Sequence, residues 1–234
     1  VQGLWDLLVN LHWGAVGQII LIDILLGGDN AVVIAMACRN LAPGQRRKGI
    51  FYGTAGAIAL RVVLITCAVL LLDLPFLKVV GGALLVWIGV KLLLPEDEAE
   101  HKVAASTKLW EAVKTIVVAD CVMSLDNVVA IAGAAQQAQD EHQTLLVIFG
   151  LLVSIPFIVC GSQIILVFLD KYPVIVWMGG ALLGWIAGSM IATDVWVVGH
   201  LPALAHWQMA CSIGGALLVL AIAWLCLRRN GQRG

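Results

Sequence analysis

Asp23-Ile24-Leu25-Leu26-Gly27-Gly28-Asp29-Asn30 and Asp120-Cys121-Val122-Met123-Ser124-Leu125-Asp126-Asn127 are two versions of one polar cassette set inside apolar sequence. Each reads Asp, five residues, Asp-Asn, then a run of small apolar residues. Of the 234 residues, 61% are hydrophobic and 12% charged, about half the charge fraction of a soluble domain. Apolar runs of roughly 20 residues recur, the length a helix needs to cross the hydrocarbon core. Such runs must satisfy their own backbone hydrogen bonds in lipid, which selects helix. The expected fold class is therefore all-α: a polytopic membrane protein with residues 1–234 in a single transmembrane domain. Carboxylates at membrane depth are costly enough to require a cationic partner, and the cassettes hold four of them.

Hydropathy predicts seven transmembrane helices at 16–38, 50–72, 76–94, 110–135, 144–169, 173–192 and 209–227. Pro43-Gly44, Asp73-Leu74-Pro75, Pro95-Glu96-Asp97-Glu98, Asp170-Lys171-Tyr172-Pro173 and the region of Pro202 punctuate them. A cleaved leader is not expected, because the first apolar run after Trp13 already carries the first cassette. With seven spans, Arg39, Arg46, Arg47 and Lys48, then Lys102 and Lys108, then Lys171, then Arg228, Arg229 and Arg233 all fall on one side. The positive-inside rule makes that side cytoplasmic, with the N-terminus outside and the C-terminus inside. Trp13, Trp110, Trp177, Trp207 and Trp224 lie near predicted span ends, where indole rings favour the interface.

The cassettes belong to a longer repeat. Gly53 maps onto Gly150 at the cassette offset. One residue later in register, Gly81-Gly82-Ala83-Leu84-Leu85-Val86-Trp87-Ile88 matches Gly179-Gly180-Ala181-Leu182-Leu183-Gly184-Trp185-Ile186, and Pro75 matches Pro173. A three-helix unit enters the membrane from opposite sides in its two copies. Residues of about 16–94 and about 110–192 then form a 3+3 inverted repeat, with a seventh helix at about 209–227 appended. Inverted repeats with discontinuous helices mark secondary transporters, whose sites lie near the midplane.

Six residues of regular helix would separate the two Asp of a cassette by roughly 9 Å and rotate them ~120° apart. Gly27-Gly28 is where the first helix can unwind and bring Asp29 and free carbonyls toward Asp23; Ser124-Leu125 is a weaker breaker. Asp23, Asp29, Asn30, Asp120, Asp126 and Asn127 are the candidate metal ligands. Their oxygen-rich chemistry suits hard divalent ions such as Mn²⁺, Mg²⁺ or Ca²⁺. Met123 and Cys121 would add a softer atom and favour Mn²⁺, although a helix-core Met is more often packing. Ser124, Gly27 and Gly28 complete the set of additional candidates with Arg61, which is near the middle of helix 2. Arg61 reads first as the charge that neutralises one cassette Asp, and second as a gating or proton-coupling partner. Repeat 2 has Ile158 at the matching position.

The six cysteines form no CxxC pair and are expected to be free thiols in or beside apolar segments. The net charge of −1 argues neither for nor against nucleic acid, but there is no basic stripe to bind phosphates, so no nucleic-acid partner is expected. His12, His142, His200 and His206 fall on the predicted outer side and read as solvated loop residues. The expected partners are a divalent metal ion and the lipid bilayer, with a homo-oligomer or a secretion-machinery contact left open.

Gly27-Gly28-Asp29-Asn30-Ala31 and Ser124-Leu125-Asp126-Asn127-Val128 resemble the paired motifs of the TerC family of bacterial integral membrane proteins, grouped with the LysE-type exporters. The resemblance covers helices 1–6 and implies an inner-membrane manganese exporter whose ion site is the six cassette residues. The expected function is secondary transport: Mn²⁺ is the substrate, no organic cofactor is needed, and rocking of the repeats exposes the ion outward with protons as candidate counter-ions. Three alternatives remain open on these residues: a Ca²⁺/H⁺ or broad divalent-cation exchanger, a membrane accessory protein that delivers metal to exported proteins, and an intramembrane enzyme using an Asp dyad. The last lacks an obvious nucleophile, so no enzyme is expected.

Overall fold

Backbone groups that cannot reach water must bond within their own segment, and the described chain is accordingly all-helical. The structure, a computed structural model, describes residues 17, 20–21, 27–67, 74–95, 105–136, 143–201 and 207–230, with the side chains at 65–66, 105, 126–136 and 143–151 outside the description. Eight helices follow in order: α1 (Gly28–Cys38), α2 (Pro43–Thr66), α3 (Leu77–Leu93), α4 (Ala105–Gln136), α5 (Gln143–Lys171), α6 (Pro173–Ala192), α7 (Val195–His200) and α8 (Gln208–Asn230). Among the described residues, three stretches are long and apolar enough to cross a bilayer: Leu152–Lys171, Pro173–Ala192 and Gln208–Arg229.

Helix boundaries differ from hydropathy where polar residues are helical. α2 begins at Pro43 and carries Gln45, Arg46, Arg47 and Lys48 in its first turns, seven residues before the predicted apolar start at 50. Proline suits the first turn of a helix, because the amide it lacks has no partner there. α4 runs unbroken through Ser124-Leu125, so the second cassette sits on continuous helix. α1 instead begins at Gly28, with Gly27 as its N-cap, at the expected break in the first cassette. The short α7 had no hydropathic signature; Asp194 caps it by accepting from the Trp196 N–H at 2.9 Å.

The helices form two packing groups. α6 packs most extensively on α8 and α3, and α3 also meets α8. α2 packs chiefly on α4 and α1 on α5, while α1–α4 and α2–α5 contacts close a four-helix group. Contacts between the groups are slighter, chiefly α3 with α4 and α6 with α5 and α1. Small residues set the α6–α8 approach: a Cβ on Gly184 or Gly188 would collide with the backbone of Gly215 or Cys211. Close backbone approach at small-xxx-small positions is how helices associate in lipid, where hydrophobicity offers little drive.

Long-range polar contacts mark the two ends of the bundle. At one, Arg46 on α2 pairs with Asp170 at the end of α5 (2.5 Å) and donates to the Arg39 and Leu41 carbonyls at 2.6 and 3.1 Å. At the other, Asp194 after α6 accepts from the backbone N–H groups of Phe76 and Lys78, both at 3.1 Å. Phe76 starts α3 in a left-handed conformation (φ 64°) with no side-chain cap of its own, so Asp194 supplies the missing acceptor from another helix. Trp110 and Trp207, at helix ends, are exposed. All six cysteines are free thiols; Cys67 and Cys160 are exposed and Cys38 is buried.

Candidate functional site

The four-helix group holds Asp29, Asn30, Asp120 and Ser124 of the cassettes. On α4, Asp120 is buried and accepts from Arg61 of α2: Nη2 to Oδ1 is 2.5 Å. The Arg61 Nε donates to the Ser124 hydroxyl at 3.0 Å, and that hydroxyl donates to Asp120 Oδ2 at 3.1 Å. Asp120 and Ser124 are one helical turn apart, so both face α2 on an unbroken helix. Arg61 is thus the neutralising charge the sequence called for, and its partner is a carboxylate of the second cassette. A buried, hydrogen-bonded pair of this kind is costly to break from one side, roughly 3–5 kcal/mol, because the survivor stays charged and buried.

Across the seam, α1 presents Asn30 toward Asp120; the two residues line one crevice with Val33, Ile34 and Ile116. Asn30 is 2% exposed, yet among the described residues neither its amide nitrogen nor its amide oxygen has a hydrogen-bond partner. Each buried polar group left in that condition costs about 1–3 kcal/mol, so the sequence retains an expense that packing does not explain. The Thr54 hydroxyl on α2 is a second buried group in the same condition. Asp29 is half-buried beside Asn30, accepts that residue's backbone N–H at 2.8 Å, and lies within electrostatic reach of both Asp120 and Arg61. Asp29 therefore occupies the first turn of α1, where the helix dipole favours negative charge.

The structure thus brings Asp29, Asn30, Asp120, Ser124 and Arg61 together. Asp23 and the side chains of Asp126 and Asn127 lie outside the described residues. Among the described residues, no three His, Cys, Asp or Glu side chains gather as a metal cage. Met123 is buried in a cluster with Val33, Leu85 and Leu183, which makes it packing. Cys121 is a half-buried free thiol beside Asp120 in sequence. Gly27 is buried at the cap of α1, while Gly28 is exposed with open space at its Cβ position. The His200 Nδ1 donates to the Trp196 carbonyl (3.0 Å) and its ring stacks on the Trp196 ring, a helix-end role. The arrangement can hold a cation with amide, hydroxyl and carboxylate oxygens, provided Arg61 yields its place on Asp120.

Sequence reasoning overlooked Asp194 and Thr54. Asp194 had a local signal, an acid two residues before the amide it caps, but its contacts on Phe76 and Lys78 lie more than a hundred residues away. Thr54 had no signal beyond being a hydroxyl in a greasy helix.

Relatives place these features in a family. The chain matches the integral membrane protein TerC family across residues 9–232. It is 46% identical over 173 residues to the Bacillus subtilis protein named uncharacterized membrane protein YjbE, covering 74% of this chain and 77% of that one. It is 27% identical over 222 residues to YceF of the same organism, another protein named only as an uncharacterized membrane protein, covering 91% and 80%. With the Escherichia coli UPF0053 protein YegH the identity is 24% over 234 residues, 92% of this chain and 42% of that longer one. No solved structure matches the chain. The chain belongs to the TerC family of integral membrane proteins.

Proposed function

We propose that this TerC protein is a secondary transporter that exports a divalent cation, Mn²⁺ first among them, from the cytoplasm across the bacterial inner membrane. The observation that carries the reading is the Asn30 amide, buried without a partner and facing Asp120 with Asp29 beside it. Oxygen donors of this type suit hard dications, and the transported ion would complete the coordination that the protein leaves open. Arg61 then acts as the tethered counter-charge: it holds Asp120 while the site awaits its ion and withdraws when the ion arrives. Asp23, Asp126 and Asn127 are proposed to complete the ligand set from the same two cassettes. Mn²⁺ is substrate here, and no organic cofactor enters the scheme.

Seven spans in a 3+3 inverted repeat plus a seventh helix are part of the same proposal, as is the grouping with LysE-type exporters. The packing supports the repeat: α1 lies on α5 as α4 lies on α2, α1 faces α4, and α3 faces α6. Those are the pairs that an exchange of halves carries into one another. The end that holds Arg39, Arg46 and Lys171 is taken as cytoplasmic by the positive-inside rule, with the N-terminus outside and the C-terminus inside. Lipid and the ion are the partners this scheme requires, and nucleic acid has no part in it. Because each repeat gives two helices to one packing group and its third to the other, the moving parts are the groups and not the repeats.

Flux of Mn²⁺ into vesicles containing the purified chain tests the reading. Asp29→Asn and Asp120→Asn should each abolish it, and competition by Ca²⁺ and Mg²⁺ would rank the ions. Undiminished flux in both variants removes the cassettes from the mechanism. Absence of flux by the unmodified protein alone would favour delivery of metal to exported proteins, which needs a secretion partner.

A further inference from the structure

The α1–α4 seam continues past the crevice as a second, wider cavity. It measures about 220 Å³ and is bordered by Ala37 on α1 and Asn40 in the turn after it, Lys91 on α3 and Pro95 just past its end, and Glu111 and Thr115 on α4. The two spaces share no lining residue, but they follow one another along the same pair of helices. Asn40 and Glu111 stand at the wide end, Met36, Ile34 and Ile116 come between, and Asn30 faces Asp120 at the narrow end. The helices run antiparallel here, and from Thr115 to Asp120 is roughly 7 Å of helix. The wide end opens at the same end of the bundle as Arg46 and Asp170, whereas the narrow end is too tight for a water-sized sphere. Ile34, Met36 and Ile116 are each at most 3% exposed, so they form a dry plug between the two.

The charges of the wide cavity are ordered as well. Glu111 is exposed. Thr115 turns its hydroxyl proton back to the Glu111 carbonyl at 2.9 Å, which leaves its oxygen as an acceptor. The Lys91 ammonium is drawn over the Trp87 ring on its own helix, 5.6 Å from the centroid. Oxygen acceptors from Glu111, Thr115 and Asn40 are what a hydrated dication would meet. The buried, partnerless amide of Asn30 at the far end marks the destination.

We propose that the α1–α4 seam is the path by which a hydrated divalent cation reaches the Asn30–Asp120 site from the basic end, with Glu111 as the recruiting carboxylate of an entrance vestibule and Ile34, Met36 and Ile116 as the apolar gate beneath it. This rests on the transporter reading above and adds to it a capture step and a barrier. An ion enters the vestibule with its water shell, and passage requires the α1 and α4 side chains of the plug to part.

The test is Mn²⁺ flux in proteoliposomes of the full chain, with the ion presented at one face at a time and at low ionic strength. Glu111→Gln should raise the half-saturating Mn²⁺ concentration about five- to tenfold at the face that carries Arg46, and Glu111→Lys further. At the opposite face neither should change it twofold, and the maximal rate should hold. Ile34→Ala, which thins the plug, should raise passive Mn²⁺ passage in both directions. Unchanged half-saturation, or the same shift at both faces, overturns the vestibule while leaving the transporter reading intact. An Ile34→Ala protein with no added passage overturns the gate. A wild-type protein that moves no dication overturns the transporter reading and this inference together. Glu111 is exposed, so its variants fold.

Discussion

Removing Arg61 tests the charge logic of the interior directly. The side chain is 1% exposed and its partner Asp120 is 6% exposed, with 2.5 Å between the charged atoms and Ser124 bridging both. Arg61→Met leaves the Asp120 carboxylate buried without this counter-charge, and Asp120→Asn takes from the guanidinium the carboxylate it pairs with at 2.5 Å. Each single change should cost roughly 3–5 kcal/mol, whereas replacing both partners should cost much less because neither leaves the other's charge behind. For a chain of this length the single variants should melt about 10 °C lower. The assay is thermal unfolding in one detergent for wild type, both single variants and the double variant, which together make a double-mutant cycle. The coupling should have the sign of mutual rescue and exceed about 2 kcal/mol. If Arg61 is a stand-in for a metal, Mn²⁺ should also raise the melting temperature of Arg61→Met more than that of wild type. Strictly additive single and double effects would refute the reasoning, since they would mean that the two charges do not see each other.

Other consequences are open to simpler measurements. Asp194→Ala removes the acceptor for the N–H groups at the starts of α3 and α7 and should lower stability by about 2 kcal/mol, read by thermal unfolding. Burial pushes the Asp194 carboxyl up, but the N–H groups of Trp196, Phe76, Lys78 and Val79 outweigh it and hold the group below its ordinary value. A depressed folded pKa gives stability that is present above the unfolded value and lost as pH falls through the folded one. Wild type should thus lose stability below about pH 4 more steeply than Asp194→Ala; parallel curves would remove Asp194 from the acid response. Gly188→Ala places a Cβ against the Cys211 backbone and should cost about 1–3 kcal/mol by forcing α6 and α8 apart. Gly214→Ala, with nothing near its Cβ position, should be neutral or stabilising by about 0.5–1 kcal/mol in the same melts.

How far the sequence could be read depended on how local each signal was. Asp29, Asn30 and Asp120 stood out because acids and amides are rare in apolar helices, and the structure gathers these three. The need of Arg61 for an acid was legible, but its choice of Asp120 on the other repeat was not, because that choice depends on α2 packing against α4. The first turns of α2 were hidden because hydropathy scores apolar length, and Gln45, Arg46, Arg47 and Lys48 contribute none. The unbroken course of α4 shows that Ser124, hydrogen-bonded to Asp120 and Arg61, serves the site without ending its helix. Asp194 was overlooked because its partners at Phe76 and Lys78 are brought to it only by the α3–α6 contact. Glu111 and Asn40 gave no warning either: a single acid or amide at a helix end is ordinary until a cavity joins them.

The division of the helices into two groups bears on how the chain is made. α3 is synthesised about eighty residues ahead of α6, its principal partner, and longer still ahead of α8. During that interval its Gly82 and Gly89 face has no helix to lie against, and the start of α3 has no Asp194 to receive its amide protons. A ribosome stalled after α5 would therefore leave α3 with only its slighter contact on α4 and without its cap, and that nascent intermediate is where membrane quality control would find this protein most readily.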